Sequence, residues 1–121
     1  MQLPESGMAI TAWVILVCAL VGGALTAYVR LAEKNTPFDI GLLHGRAGAL
    51  ATLLLLAAIL TGNESSQDSK YAVGLLALTI LGGTALYFLI RRKGILPRSI
   101  IVLHATFAVG AVYTLIFGLP F

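Results

Sequence analysis

His44 and His104 are the only histidines in this chain of 121 residues, and they stand sixty positions apart. Each lies inside a long apolar stretch and follows a leucine, in Leu43-His44-Gly45-Arg46-Ala47-Gly48 and in Leu103-His104-Ala105. Imidazole can bind a metal, carry a proton or act as a hydrogen-bonding group. Among apolar residues an ionisable side chain is costly, and its retention points to function. A proton relay would need a neighbouring carboxylate. No Asp or Glu lies inside the apolar runs; Glu33 and Asp39 stand only at their edge. Two histidines without a cysteine or carboxylate partner make half a zinc or copper site. Axial ligation of a haem iron needs only two imidazoles, because the macrocycle supplies the other ligands. The competing structural account is a histidine that merely bonds to a backbone carbonyl or a neighbouring helix.

The elements that hold these residues follow from composition. The chain is 59% hydrophobic and 11% charged, where a soluble domain carries about a quarter charged residues. A soluble fold this small could not hide so much apolar surface. Four apolar runs cover roughly Met8–Leu31, Ile40–Thr61, Tyr71–Ile90 and Ser99–Leu119. Each has about the 20 residues a helix needs to cross a hydrocarbon core of ~30 Å. Helix is the expected form because each segment must satisfy its own backbone polar groups. The breaks between runs are short, so sequential helices are antiparallel neighbours. The expectation is an all-α, integral membrane four-helix up-down bundle forming one transmembrane domain over 1–121. Cys18, the single cysteine, excludes an internal disulfide and a multi-cysteine zinc site.

The basic residues set an orientation. Arg30, Lys34, Arg46, Arg91, Arg92, Lys93 and Arg98 fall on the side of the first and third breaks, and only Lys70 falls on the other. Lys/Arg excess marks the cytoplasmic side. Both termini and the segment around Asn63 to Lys70 are then expected outside the cytoplasm, in a bacterial inner membrane, with Trp13 and Tyr71 near the outer interface. The stretch before the first run carries Glu5 and no basic residue, so that run reads as a retained helix rather than a signal peptide. Net charge is +3. Because the basic residues lie between apolar runs, membrane topology accounts for them and nucleic acid is not an expected partner.

An internal repeat relates the two histidines. Sixty positions on, Gly22-Gly23 becomes Gly82-Gly83, Pro37 becomes Pro97, Ile40 becomes Ile100 and Leu43-His44 becomes Leu103-His104. Ala12, Leu16, Ala51 and Leu55 likewise match Ala72, Leu76, Ala111 and Leu115, although such matches are cheap in an apolar chain. The fold class sharpens to two parallel-repeat helical hairpins related by an axis along the membrane normal. Both histidines then sit roughly 6–8 Å below the cytoplasmic boundary, at 1.5 Å per helical residue, and can reach one metal from opposite sides. Gly48 and Ala51 follow His44 on its own face, as Ala108 and Ala111 follow His104. With Gly22, Gly23, Gly82 and Gly83 at a similar depth, these small residues offer clearance for a flat macrocycle, since glycine lets backbone approach a ligand closely. Helix packing is the alternative use of such residues. The expected site is therefore His44 and His104 as metal ligands, with Gly48, Ala108, Gly22, Gly23, Gly82 and Gly83 around the cofactor.

Four helices with a Leu-His pair and small neighbours on the second and the fourth resemble the membrane-embedded b-type cytochromes, which hold haem b inside a four-helix bundle. The resemblance covers most of the chain through short motifs. It implies one haem b with two histidine ligands near the cytoplasmic side. Many members carry two haems and four histidines, and two histidines suffice for one haem only. With both axial positions filled, no site is open for oxygen chemistry, and the expected function is electron transfer. The chain is then an electron carrier or a haem-bearing subunit of a larger respiratory or redox complex, more than an enzyme by itself. Its expected partners are membrane lipid, a redox protein and the quinone pool. Arg46 and Arg98 are near enough to the haem-side boundary to meet propionates, though topology and headgroup anchoring explain both. Tyr28, Tyr87 and Phe107 could pack near the ring or simply against other helices. Two other classes fit four helices of this length. A small multidrug-type transporter relies on a membrane-embedded glutamate in its first helix, which Met8–Leu31 lacks. The other is a cofactor-free structural accessory subunit, against which the aligned histidines speak only weakly.

Overall fold

The computed structural model describes residue 4 and residues 6–34 and 39–118. They form four helices: α1 (Gly7–Leu31), α2 (Ile40–Leu60), α3 (Gln67–Lys93) and α4 (Arg98–Phe117). The described residues include no strand. Each helix is long and apolar enough to cross a membrane by length and composition. Pro37, one half of the aligned proline pair, and Glu5 lie outside the described residues.

Helix ends follow from local chemistry. Ser6 accepts a hydrogen bond from Ala9 N at 3.1 Å and opens α1. Asp39 accepts from Leu42 N at 3.0 Å and opens α2. Ser66 accepts from Ser69 N at 3.3 Å, which starts α3 at Gln67, four residues before its apolar run. Hydropathy could not have placed that start, because a cap outranks polarity over a single turn. Pro97 precedes α4, and its carbonyl accepts from Ile100 N and Ile101 N. Helix α3 closes on Gly94 in the left-handed conformation, with Ile95 N bonded back to Leu89 O. That conformation suits glycine because it has no Cβ to clash.

Each helix packs on its chain neighbours, and α1 also meets α4, so the four close into a ring. The diagonal pairs α1/α3 and α2/α4 make no close backbone approach among the described residues. One end of the ring gathers Arg30, Arg91, Arg92, Lys93 and Arg98 and is the basic end. The packed core lies toward the opposite end. It consists of Ala12 and Leu16, Ala51 and Leu55, Ala72 and Leu76, and Ala111 and Leu115, with Val112 beside them. All but Val112 fall into pairs sixty residues apart. Alanine lets the backbones approach, and leucine fills the space between them. Toward the basic end the packing changes: no residue in 41–50, 81–90 or 101–110 is fully buried. The outer surface is strongly apolar, with Val21, Leu53, Leu81 and Val102 each more than 60% exposed.

Asp39 ties the basic end together. Besides capping α2 it pairs with Arg30 of α1 at 3.8 Å and Arg91 of α3 at 3.4 Å. These pairs are partly solvated and worth at most about 1 kcal/mol together after screening. The cap carries about as much. Asp39→Asn keeps the capping oxygen and loses the charge, so it should lower the thermal midpoint in detergent less than Asp39→Ala does. Equal losses would assign the stabilisation to the ion pairs instead.

Candidate functional site

His44 is the fifth residue of α2 and His104 the seventh of α4, both toward the basic end. Although α2 and α4 are diagonal, the two rings reach inward and meet. Their centroids are 6.1 Å apart and their planes cross at 89°. His44 Nδ1 lies 2.9 Å from the carbonyl oxygen of Ala19 on α1. His104 Nδ1 lies 2.8 Å from the carbonyl oxygen of Thr79 on α3. A carbonyl can only accept, so each Nδ1 carries the proton and donates it. In the neutral form of each ring the lone pair is then on Nε2. Ala19 and Thr79 are themselves sixty residues apart, and each bond joins residues separated by 25 positions.

The candidate glycines divide by what they touch. A Cβ on Gly23 would come within 2.8 Å of His44 Cε1, and one on Gly83 within 3.0 Å of His104 Cε1. On Gly82 it would meet His104 Cβ at an ordinary 3.5 Å. A Cβ on Gly22 or Gly48 would meet nothing within 4 Å, so neither glycine touches a ring. Ala108 is half-buried on α4, one turn beyond His104. The site thus brings together His44, His104, Gly23, Gly82 and Gly83, and an added Cβ on Gly22 or Gly48 would reach neither ring.

The flanking arginines and aromatics are less involved. Arg46 is exposed. Arg98 borders an open groove of about 380 Å³ between the ends of α1 and α4, with Leu31, Ile101 and Val102. Tyr28 and Tyr87 are exposed, and Tyr87 lies under the Arg91 guanidinium at 5.9 Å. Phe107 is half-buried.

Sequence reasoning missed two features. The carbonyls of Ala19 and Thr79 have no side-chain signature; their only trace is that each precedes a ring-contacting glycine by four residues. Glu64, between α2 and α3, is 2% exposed, with Oε1 accepting from Ser66 N and Oε2 unpartnered. A polar loop gives no hint that one of its carboxylates folds inward.

The donor set can be tested against a haem. A metal–nitrogen bond of about 2.0 Å on each side, with about 1.1 Å from nitrogen to ring centre, sets two axial imidazoles ~6 Å apart. The observed centroids are 6.1 Å apart, in an edge-to-face arrangement. No group of three or more His, Cys, Asp or Glu side chains converges among the described residues. Two imidazoles alone suit a metal whose remaining ligands come from a macrocycle, so the donor set fits a haem by type and number. Comparison with family models, with curated proteins and with solved structures gives no match.

Proposed function

We propose that this chain is a membrane-spanning b-type cytochrome that binds one haem b between His44 and His104 and transfers single electrons. The observation that carries the proposal is the ring pair: 6.1 Å between centroids, each Nδ1 bonded to a helix carbonyl and each Nε2 left with its lone pair. Hydrogen bonding of a ligating histidine through its other nitrogen fixes the ring and raises its basicity. These carbonyl bonds are what a purely structural role would also give; the pairing of the two rings at 6.1 Å is what supports ligation.

Four apolar helices with apolar outward faces support insertion in a bilayer. The basic end is the cytoplasmic end by the distribution of Lys and Arg, which puts the haem toward the cytoplasmic leaflet and both termini outside. The two hairpins act as parallel repeats. In support, the core pairs, the ring-contacting glycines, the histidines and the accepting carbonyls all recur at a spacing of sixty.

Bound haem b supplies a one-electron couple at its iron. His44 and His104 would hold it, apolar helices would exclude water, and ligand basicity and burial would set its potential. The chain is a carrier or a haem-bearing subunit, with a redox protein or a larger respiratory complex as partner and quinone as a small-molecule reactant.

Protein purified in detergent from haem-replete cells should give the sharp α and Soret bands of a low-spin b haem in reduced-minus-oxidised spectra. His44→Ala and His104→Ala should each lose them. Colourless wild-type protein would sink the proposal.

A haem held with the two rings still crossed at 89° would have nearly degenerate iron dπ orbitals. The ferric protein should then show a strongly anisotropic EPR signal dominated by one low-field feature. A three-line rhombic signal would indicate parallel rings.

Topology has its own check. In a Cys18→Ser background, Ser65→Cys should react with an impermeant maleimide in cells whose outer membrane has been opened. Arg92→Cys should react only after the inner membrane is permeabilised. The reverse pattern would place the haem in the other leaflet.

A further inference from the structure

Each histidine lies over the helix that precedes it at a glycine, and bonds to the carbonyl four residues before that glycine. Ala19 and Gly23 serve His44; Thr79 and Gly83 serve His104. In a helix, residues i and i+4 are stacked on one face. Because Cβ atoms tilt toward the helix N-terminus, a side chain at the later position would lie over the carbonyl at the earlier one. With alanine at position 23 the new methyl would stand 2.8 Å from His44 Cε1 and 3.3 Å from Nε2. At position 83 it would stand 3.0 Å from His104 Cε1. Both distances are closer than packed carbon atoms tolerate, and the obstructed group is a ring already held at Nδ1.

We infer that Gly23 and Gly83 are positioning residues: each is the seat that admits one imidazole to the carbonyl a turn earlier and so fixes that histidine as the Nδ1–H, Nε2-lone-pair tautomer. This differs from clearance for a macrocycle, which would give all four glycines one task. A Cβ on Gly22 would meet nothing within 4 Å and one on Gly82 only ordinary contact, so within each doublet the second glycine is the seat. The tautomer stands on the protein alone; its consequence at an iron rests on the proposed function.

The chain's two histidines make the test direct. Protein labelled with ¹⁵N-histidine and prepared without haem in detergent micelles should show two rings, both protonated at Nδ1. Gly23→Ala should disturb the His44 ring and leave His104 unchanged. Gly83→Ala should do the converse, and Gly22→Ala should disturb neither tautomer. An Nε2–H tautomer in the wild type, or equal effects of Gly22→Ala and Gly23→Ala, would overturn the inference. Should Gly23→Ala fold poorly, the double variant Gly23→Ala/His44→Ala decides. With the ring gone the added methyl has nothing to strike, so the double variant should melt at the temperature of His44→Ala alone; an undiminished loss would assign Gly23 to helix packing. In haem-loaded protein, Gly23→Ala and Gly83→Ala should weaken the low-spin bands in favour of five-coordinate features, with Gly74→Ala on α3 as the neutral control. Wild-type protein that shows the Nδ1–H pattern but takes up no haem would remove the proposed function and leave the seats standing.

Discussion

A ring N–H that leaves water must find an acceptor, and in an apolar helix bundle the only abundant acceptors are backbone carbonyls. Those carbonyls already receive a bond from within their own helix. A histidine can share one only where the neighbouring backbone is uncovered, which requires a glycine on the same face. This constraint ties His44 to Ala19 and Gly23, and His104 to Thr79 and Gly83. It also sets the register of each hairpin: sliding α2 along α1 by a turn would strand the ring against a side chain. Membrane helices lack a hydrophobic drive to associate with one another, so a polar bond between them is a specific source of alignment.

The remainder of the bundle divides around that constraint. Toward one end, alanine and leucine pairs from all four helices interlock. Toward the basic end, Asp39 joins α1, α2 and α3 through a cap and two ion pairs. Between them the packing is made by the rings and by uncovered glycine backbone. The middle is incompletely buried and not committed to aliphatic contacts. There the rings meet edge to face from diagonal helices whose backbones stay apart.

Much of this is legible in the residues. Four apolar runs become four helices because nothing else satisfies a long apolar backbone. The helix ends are less legible: Ser66 opens α3 before its apolar run, and a serine's capping role shows only when the turn forms. The alanine and leucine matches at a spacing of sixty carry little weight in so apolar a chain, yet they are the core. The rarer Gly-Gly match is the better guide to the site, but it does not disclose its use. Composition says that a glycine leaves room; it cannot say whether the room belongs to a ligand or to a side chain. That distinction depends on where His44 and His104 lie across the helix interface, and the accepting groups, being main chain, have no letter in the sequence.

The ring pair also divides the bundle. Both rings belong to the half nearer the basic end, and the core of the other half is alanine, leucine and valine. On the α1/α4 side, Trp13, Leu16, Val112 and Leu115 line a small gap toward one end, and Leu31 and Arg98 border an open groove toward the other. That groove lies on the same side as the rings, and Ile101 on its wall is one helical turn from His104.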